Sequence, residues 1–173
     1  MSMHIIIDGY NLIRQSYFLN SIEQLDFQQG RAALISAVAR YKKIKHYKIT
    51  LVFDGTNAGN SSQHADIING IKVKFSKNGE TADTVIKNMA FREKEKALIV
   101  SSDLDIAKFS ESCNATVIAS AEFEKKVKTA FHYDDQGFTD KEENGWIPTT
   151  KKKGPKKRFS KKERKARLKT RKL

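Results

Sequence analysis

Six acidic residues stand at the ends of predicted strands or the starts of predicted helices. They are Asp8, Asp54, Glu80, Asp83, Asp103 and Asp105. Asp8 ends the first predicted strand, Asp54 ends the second, and Asp103 with Asp105 follows the apolar strand at 97–100. In an open parallel sheet the carboxyl ends of the strands share one edge, and ligands bind there near the point where strand order reverses. We therefore expect six carboxylates from distant positions to converge on one edge.

Six carboxylates packed together would repel one another, and some would stay protonated unless a cation joined them. Oxygen-rich sites suit a hard divalent cation such as Mg²⁺ or Mn²⁺. Zinc is not indicated, because the histidines at 4, 46, 64 and 132 show no metal-ligand spacing. A divalent cation held by carboxylates can activate water and neutralise a phosphodiester during an in-line displacement. The cluster thus predicts hydrolysis of a phosphodiester.

The same residues also have purely structural interpretations. The pattern Ser102-x-x-Asp105 is typical of a capping box, and acids are favoured in the first turn of any helix. Asp8 is harder to explain in this way, because it follows three isoleucines and a buried carboxylate is costly without a partner. Asn11 either hydrogen-bonds a ligating aspartate or caps a turn.

The elements that must position these residues alternate along the chain. Predicted strands cover 3–7, 48–53, 70–75, 97–100 and 116–119, and predicted helices cover 26–46, 81–93, 103–112 and 121–131. The stretch 54–69 is rich in Gly, Asn and Ser and is predicted to be a long mobile loop that acts as a lid. Strands alternating with helices predict an α/β fold with a mostly parallel sheet covered on both faces.

Charge is distributed very unevenly. Residues 151–173, here called the basic tail, hold 14 of the 33 Lys and Arg residues and one of the 20 acids, so the first 150 residues carry 19 of each sign. A run this dense repels itself and offers almost no apolar surface, so alone it is expected to be disordered or loosely helical. Its usual partner is a polyanion, most often nucleic acid. The residues predicted to bind RNA are Lys151, Lys152, Lys153, Lys156, Lys157, Arg158, Lys161, Lys162, Arg164, Lys165, Arg167, Lys169, Arg171 and Lys172.

Composition divides the chain into three parts: a domain at 1–131, an acidic connector at 132–150 and the basic tail. The connector has one lysine against five acids, together with Tyr133, Phe138, Trp146 and Ile147, and is predicted either to dock on the domain or to shield the tail. The apolar stretch at 5–7 is too short for a signal-peptide core, and no 18-residue apolar run predicts a membrane span. A single cysteine, Cys113, fits a reducing compartment, so the cytoplasm is the expected location.

Four motifs occur in order at strand ends: IIIDGYNLI at 5–13, LVFDG at 51–55, GETADTVI at 79–86 and VSSDLD at 100–105. Over about residues 3–130 this set resembles the NYN family, and more narrowly the YacP-like branch of PIN-like ribonucleases. The resemblance implies a single PIN-like, Rossmann-like domain whose parallel sheet has about five strands, and an endoribonuclease site that uses Mg²⁺ or Mn²⁺. It implies roles for Asp8, Asn11, Asp54, Glu80, Asp83, Asp103 and Asp105. Of these, Asp8, Asp83 and Asp103 are the expected metal ligands.

The function predicted from these observations is a metal-dependent endoribonuclease anchored to RNA or the ribosome by its basic tail. The alternative is a non-catalytic RNA- or ribosome-binding protein that retains the fold, and DNA is a possible substrate of the same chemistry. The tail also has alternative interpretations, as a solubilising extension or a localisation signal. A haloacid-dehalogenase phosphatase is rejected because Thr56 stands where the second aspartate of its nucleophile loop belongs. No P-loop or G-x-S-x-G motif occurs in the sequence.

Overall fold

The computed structural model describes residues 3–55, 65–77, 79–136 and 159–173. Its strands are β1 (His4–Asp8), β2 (Lys48–Phe53), β3 (Ala65–Ile68), β4 (Ile71–Phe75), β5 (Ala97–Val100) and β6 (Thr116–Ile118). Its helices are α1 (Gly9–Gln15), α2 (Tyr17–Leu25), α3 (Phe27–Lys45), α4 (Ala82–Glu93), α5 (Leu104–Ser112), α6 (Ser120–Asp135) and α7 (Lys161–Lys172), and a 3-10 turn at Lys94–Lys96 precedes β5.

The strands form one sheet in the order β3-β4-β2-β1-β5-β6. All neighbouring pairs are parallel except β3 with β4. The chain moves outward from β1 through β2 to one side and later returns through β5 to the other side. The order of strands therefore reverses at β1, whose carboxyl end is Asp8. The predicted α/β fold with a mostly parallel sheet is confirmed.

Side chains of β1 alternate between two cores, one on each face of the sheet. Ile7 packs in a core with Tyr41 of α3 and Phe123 of α6, whose rings meet edge to face with centroids 5.5 Å apart. Ile6 packs on the opposite face, in a core with Ile86 of α4. Because helices cover both faces of the sheet, central strands such as β1 and β5 contain unbroken runs of apolar residues instead of alternating apolar and polar ones.

Three features of the chain differ from the predicted elements. Strand β3 lies inside the predicted mobile loop at 54–69 and raises the strand count from about five to six. Residues 9–25 form two short helices that no periodicity signalled. Helix α6 runs to Asp135, where Arg40 pairs with Asp134 and Asp135, so the predicted connector begins inside a helix. Residues 56–64 of the loop and 137–150 of the connector lie outside the described residues.

The last helix, α7, docks on the domain although its composition predicted almost no apolar contact. Leu173 is only 6% exposed and belongs to the core that contains Tyr41. The Tyr41 hydroxyl donates to the Leu173 carbonyl at 2.8 Å, and Lys165 pairs with Glu95 at 2.9 Å. A capping box of Ser160 and Glu163 starts the helix. The carbonyl groups at its end thus find donors on the domain, and one leucine fixes its position.

No helix in the described ranges is long and apolar enough to cross a membrane.

Candidate active site

A cleft of about 260 Å³ opens at the carboxyl ends of β1, β2 and β5. It is lined by Asp8, Tyr10, Asn11, Arg14, Gln15, Asp54, Ala82, Asp83 and Asp103. Four of the six predicted carboxylates therefore meet here, together with the predicted Asn11. They come from four separate segments of the chain, and the parallel sheet brings them to one edge.

Asp8 is the most buried of these carboxylates, at 8% exposure. It is the N-cap of α1, where its Oδ1 atom accepts a bond of 3.3 Å from the backbone N–H of Asn11. Its Oδ2 atom accepts a bond of 3.1 Å from the Ser101 hydroxyl. Burial, reinforced by the charges of Asp83 and Asp103, raises the pKa of Asp8 to about 6, although both hydrogen bonds act to lower it. At neutral pH the cleft thus holds a costly buried anion.

Asp83 and Asp103 face Asp8 from two helix N-termini. Asp83 lies in the first turn of α4, and burial followed by the charge of Asp103 raises its pKa above the ordinary value. Asp103 is the N-cap of α5 and accepts bonds from the N–H groups of Asp105 and Ile106 at 2.7 and 3.1 Å. The helix dipoles favour negative charge at both positions. They offset part of the repulsion among the three carboxylates.

Asp54 is held in the cleft by a residue that the sequence did not single out. The Ser76 hydroxyl donates to Asp54 Oδ1 at 3.0 Å and accepts from the N–H of Gly55 at 2.9 Å. Ser76 follows β4 directly, so the ends of β2 and β4 are joined through this side chain. Its orienting effect on Asp54 depends on strand pairing, which a sequence pattern does not contain.

Asp8 at the end of β1 and Asp54 just after β2 are each followed by glycine, because the backbone there packs too tightly for a side chain. A Cβ atom on Gly9 would lie 2.2 Å from the Phe53 ring. One on Gly55 would lie 2.1 Å from the carbonyl oxygen of Ser76, which is backbone and has little room to yield. These close approaches explain the two Asp-Gly pairs in the motifs.

Asn11 connects the segments that carry the carboxylates. Its Oδ1 atom accepts a bond of 2.9 Å from the N–H of Ser102 and one of 2.7 Å from the Ser120 hydroxyl. These bonds tie α1 to the ends of β5 and β6. In the described residues its side chain bonds neither to a carboxylate nor to its own turn, which were the two predicted roles. It instead holds together the segments that line the cleft, a role that the sequence did not indicate.

Two predicted site residues lie outside the cleft lining. The Asp105 side chain is 79% exposed and pairs with Lys87 of α4. The predicted capping box of Ser102 and Asp105 is wrong, because Asp103 caps α5 while the Ser102 hydroxyl accepts from the N–H of Ser120. Glu80 precedes α4, and its charge acts on Lys74 of β4.

The donor set of the cleft fits a hard divalent cation in its chemistry. Four carboxylates supply oxygen ligands, and the pKa of Asp8 and that of Asp83 are raised in part by neighbouring carboxylates. In the described ranges, however, no three His, Cys, Asp or Glu side chains stand close enough together to hold an ion as they are placed. Binding would require the flanking carboxylates to draw in toward Asp8.

The predicted RNA-binding residues of the tail fall into two groups. Those from 151 to 158 lie outside the described residues, and those from 161 to 172 lie on α7. Helix α7 meets the domain at Glu95, before β5, and lines a groove with Thr116 at the start of β6. It therefore packs at the amino ends of the strands, whereas the cleft lies at their carboxyl ends.

The parallel sheet with an acidic cleft at its switch point defines an α/β domain of the PIN-like class. The chain belongs to the YacP-like NYN domain family, whose sequence profile matches residues 5–172. It is 28% identical over 86 residues to the uncharacterized protein YacP of Bacillus subtilis (strain 168), and that alignment covers 50% of each chain.

Two solved structures resemble the fold. The crystal structure of Rae1 (YacP) from Bacillus subtilis superposes with a TM-score of 0.63 at 24% identity, covering 79% of each chain. A mutant of the same protein superposes with a TM-score of 0.65 at 23% identity, covering 78% of this chain and 80% of the other. At these identities the likeness shows the fold.

Proposed function

We propose that this protein is a metal-dependent endoribonuclease. The observation that carries the proposal is the convergence of Asp8, Asp54, Asp83 and Asp103, from four chain segments, in one cleft at the switch point of the sheet. Membership of a nuclease-type family supports the same reading. The proposed metal ligands are Asp8, Asp83 and Asp103, with Mg²⁺ or Mn²⁺ as the ion.

The residues of the cleft have separable tasks in this proposal. Asp8 contributes a buried carboxylate that Ser101 and the N–H of Asn11 hold in place. Asp54 retains acceptor capacity beyond its bond to Ser76 and can take a proton or orient a water molecule. When bound, a divalent cation would neutralise the phosphodiester and lower the pKa of the attacking water.

The basic tail is proposed to anchor the enzyme on RNA, including the RNA of a ribosome. Its arginines at 164 and 171 are exposed on α7. Because α7 packs at the amino ends of the strands, RNA bound to it would lie at the opposite edge of the sheet from the cleft, which is at the carboxyl ends. The tail then fixes where the enzyme sits, and the cleft receives a different stretch of RNA.

The test is cleavage of a mixed pool of single-stranded RNA at moderate salt, in Mn²⁺ or in EDTA. Wild type is compared with the double variant Asp8→Asn and Asp83→Asn. A control double variant, Asp66→Asn and Glu122→Gln, changes the charge equally at exposed acids outside the cleft. We expect Mn²⁺-dependent cutting by wild type and control, and a loss of at least about 100-fold in the cleft variant.

Two other outcomes would redirect the proposal. If none of the three proteins cuts naked RNA but all bind it, the assay is repeated on ribosomes. Absence of cutting there as well would indicate a non-catalytic RNA-binding protein that keeps the fold. Cutting of single-stranded DNA at an equal rate would show that the substrate is not restricted to RNA.

A further inference from the structure

Two lysines on β4 point to the same face of the sheet. Lys72 is exposed and Lys74 is half-buried, while the intervening Val73 is fully buried in the core on the opposite face. Lys72 pairs in register with Ile67 of the antiparallel strand β3. Because side chains alternate along a strand, Lys72 and Lys74 lie on the same face of the sheet as α4, which covers that face over the central strands β1 and β2. Arg92, in the last turn of α4, completes the group.

These three cations are here called the β4 strip, and Lys72 and Arg92 both lie within electrostatic reach of Lys74. Partial burial lowers the pKa of Lys74 most, and the charges of Lys72 and Arg92 lower it further. Glu80 and Glu93 oppose this effect, but Glu93 also bonds to the buried His4 at 2.6 Å. Burial, followed by repulsion from Lys72 and Arg92, thus disfavours the positive charge of Lys74. An anion placed here would relieve that repulsion.

The strip leads to the cleft. Lys74 lies two residues before Ser76, and Lys72 lies four residues before Ser76. On an extended strand these separations are about 7 Å and about 13 Å. Ser76 is the residue that holds Asp54 in the cleft. Helix α4 connects the same two places, since Arg92 lies in its last turn and Asp83 lies in its first turn. A chain lying along the strip would therefore enter the cleft between Asp54 and Asp83.

The two lysines of the β4 strip are separate from the basic tail. Strand β4 and strand β6 are four positions apart in the sheet order, which is about 19 Å at the usual strand spacing. Helix α7 packs beside β6 at the amino ends of the strands. One phosphate cannot contact both these lysines and α7, so the phosphates beside Lys72 and Lys74 belong to a different part of the ligand from the part that the tail holds. Arg92 is three residues from Glu95, the partner of Lys165 on α7.

We propose that Lys72, Lys74 and Arg92 bind the sugar-phosphate backbone of a single-stranded RNA and direct it into the acidic cleft. This inference rests on the proposed function and assigns the substrate path. Phosphates repeat along an RNA chain, and the two lysines likewise repeat along β4. Ile67, which is 76% exposed and pairs with Lys72, provides an apolar surface beside them. A cleft of about 260 Å³ is at the small end of ligand sites, which favours a single strand over a duplex.

The direct test is lysine footprinting of the full chain in EDTA, where no cleavage is needed. The protein is acetylated with and without an unstructured 12-nucleotide oligouridylate, and the rate at each lysine is read by mass spectrometry. We expect Lys72 and Lys74 to be protected at least about threefold. Unchanged rates at both, with protection confined to the tail lysines, would overturn the proposal.

A matched pair of variants tests the path in solution. The pair Lys72→Gln with Lys74→Gln removes two charges from the strip, and Lys43→Gln with Lys125→Gln removes two exposed lysines from α3 and α6. Losing two phosphate contacts should reduce the salt slope of RNA binding by about 1.4 and raise KM with little change in kcat. Lys72→Arg with Lys74→Arg should restore both values. Equal behaviour of the two glutamine pairs would refute the assignment.

Failure of the path and failure of the proposed function are distinguishable. If RNA protects Lys72 and Lys74 but the protein does not cleave RNA in Mn²⁺, the strip is an RNA-binding surface and the proposed nuclease activity is wrong. If the protein cleaves RNA but neither lysine is protected, the nuclease activity holds and the proposed RNA path along the strip is wrong.

Discussion

The hydroxyl of Ser101 donates a hydrogen bond of 3.1 Å to the carboxylate of Asp8, 93 residues earlier in the chain. The same hydroxyl oxygen accepts from the N–H of Asp103 at 3.1 Å. One small side chain at the end of β5 therefore orients a carboxylate on β1 and fixes the backbone that carries another. Ser101 is 2% exposed, so both bonds are sheltered from water.

Replacing Ser101 with alanine should raise the pKa of Asp8 above its value of about 6, because the hydrogen bond from Ser101 acts to lower it. Carbon NMR titration of the Asp8 carboxyl group in EDTA measures this directly. The free energy of unfolding should also fall by about 1 to 3 kcal/mol, since the partly buried N–H of Asp103 loses its acceptor. The exposed Ser112→Ala is the control. An Asp8 titration that is identical in wild type and Ser101→Ala would contradict this reading.

Asp8 should make the protein less stable as pH rises. Its pKa is about 6 in the folded state against 3.8 ordinarily, so between these values the folded protein binds more protons than the unfolded chain does. The free energy of unfolding then falls through that window, by up to about 3 kcal/mol for a shift of this size. Asp8→Asn should remove this part of the pH dependence and be the more stable protein at pH 7.5. Urea unfolding in EDTA from pH 4 to 7.5 tests it, and parallel pH curves for the two proteins would refute it.

Divalent ions should stabilise the folded protein through the cleft. At a concentration 100 times Kd, a ligand that binds only the folded state adds about 2.7 kcal/mol, which is a rise in Tm of roughly 5 to 10 °C for a chain of this size. Asp83→Asn should lose most of the rise seen with Mn²⁺. Asp105→Asn, which changes an exposed carboxylate outside the cleft, should keep it. If both variants respond as wild type does, the ion binds elsewhere.

Leu173 should contribute more to stability than any exposed residue of α7. Leu173→Ala is expected to cost about 2 to 4 kcal/mol, because the leucine packs in the core beside Tyr41. Leu168→Ala, on the same helix but 52% exposed, should change the free energy of unfolding by less than about 0.5 kcal/mol. Urea unfolding compares the two. Equal effects would mean that α7 is not anchored through Leu173, the residue that caps its C-terminal end.

The tail's part in RNA binding should be measured without deleting it, because removal would uncover the core around Leu173. Arg164→Gln with Arg171→Gln neutralises two exposed cations and leaves the helix anchored. If α7 contacts phosphates, the salt slope of RNA binding should fall by about 1.4, while cleavage of a short oligonucleotide that reaches only the cleft stays unchanged. A slope equal to that of Lys43→Gln with Lys125→Gln would count against the anchor.

Much of the fold was predictable because local signals were strong. The apolar runs at 48–53 and 97–100 predicted strands that the structure confirms residue for residue. Helix α3 was predicted to within one residue at each end, since apolar side chains recur at helical spacing and Asp26 caps it. Strand β3 was missed because it is a short edge strand whose pairing with β4 comes from the tertiary structure.

The sequence alone determined that Asp8, Asp54 and Asp103 follow strands and that Asp83 begins a helix, and parallel strands then place all four at one edge. Only the tertiary structure decided which acids enter the cleft, because a carboxylate's direction depends on its local turn: Asp105 turns outward to Lys87 while Asp103 caps α5. It also decided the site of α7. Ten of the twelve residues of this helix are polar or charged, and it is placed by the buried Leu173 that follows it and by hydroxyl donors on Tyr41 and Tyr47. Those partners are more than 120 residues away in the chain, beyond the reach of any local pattern.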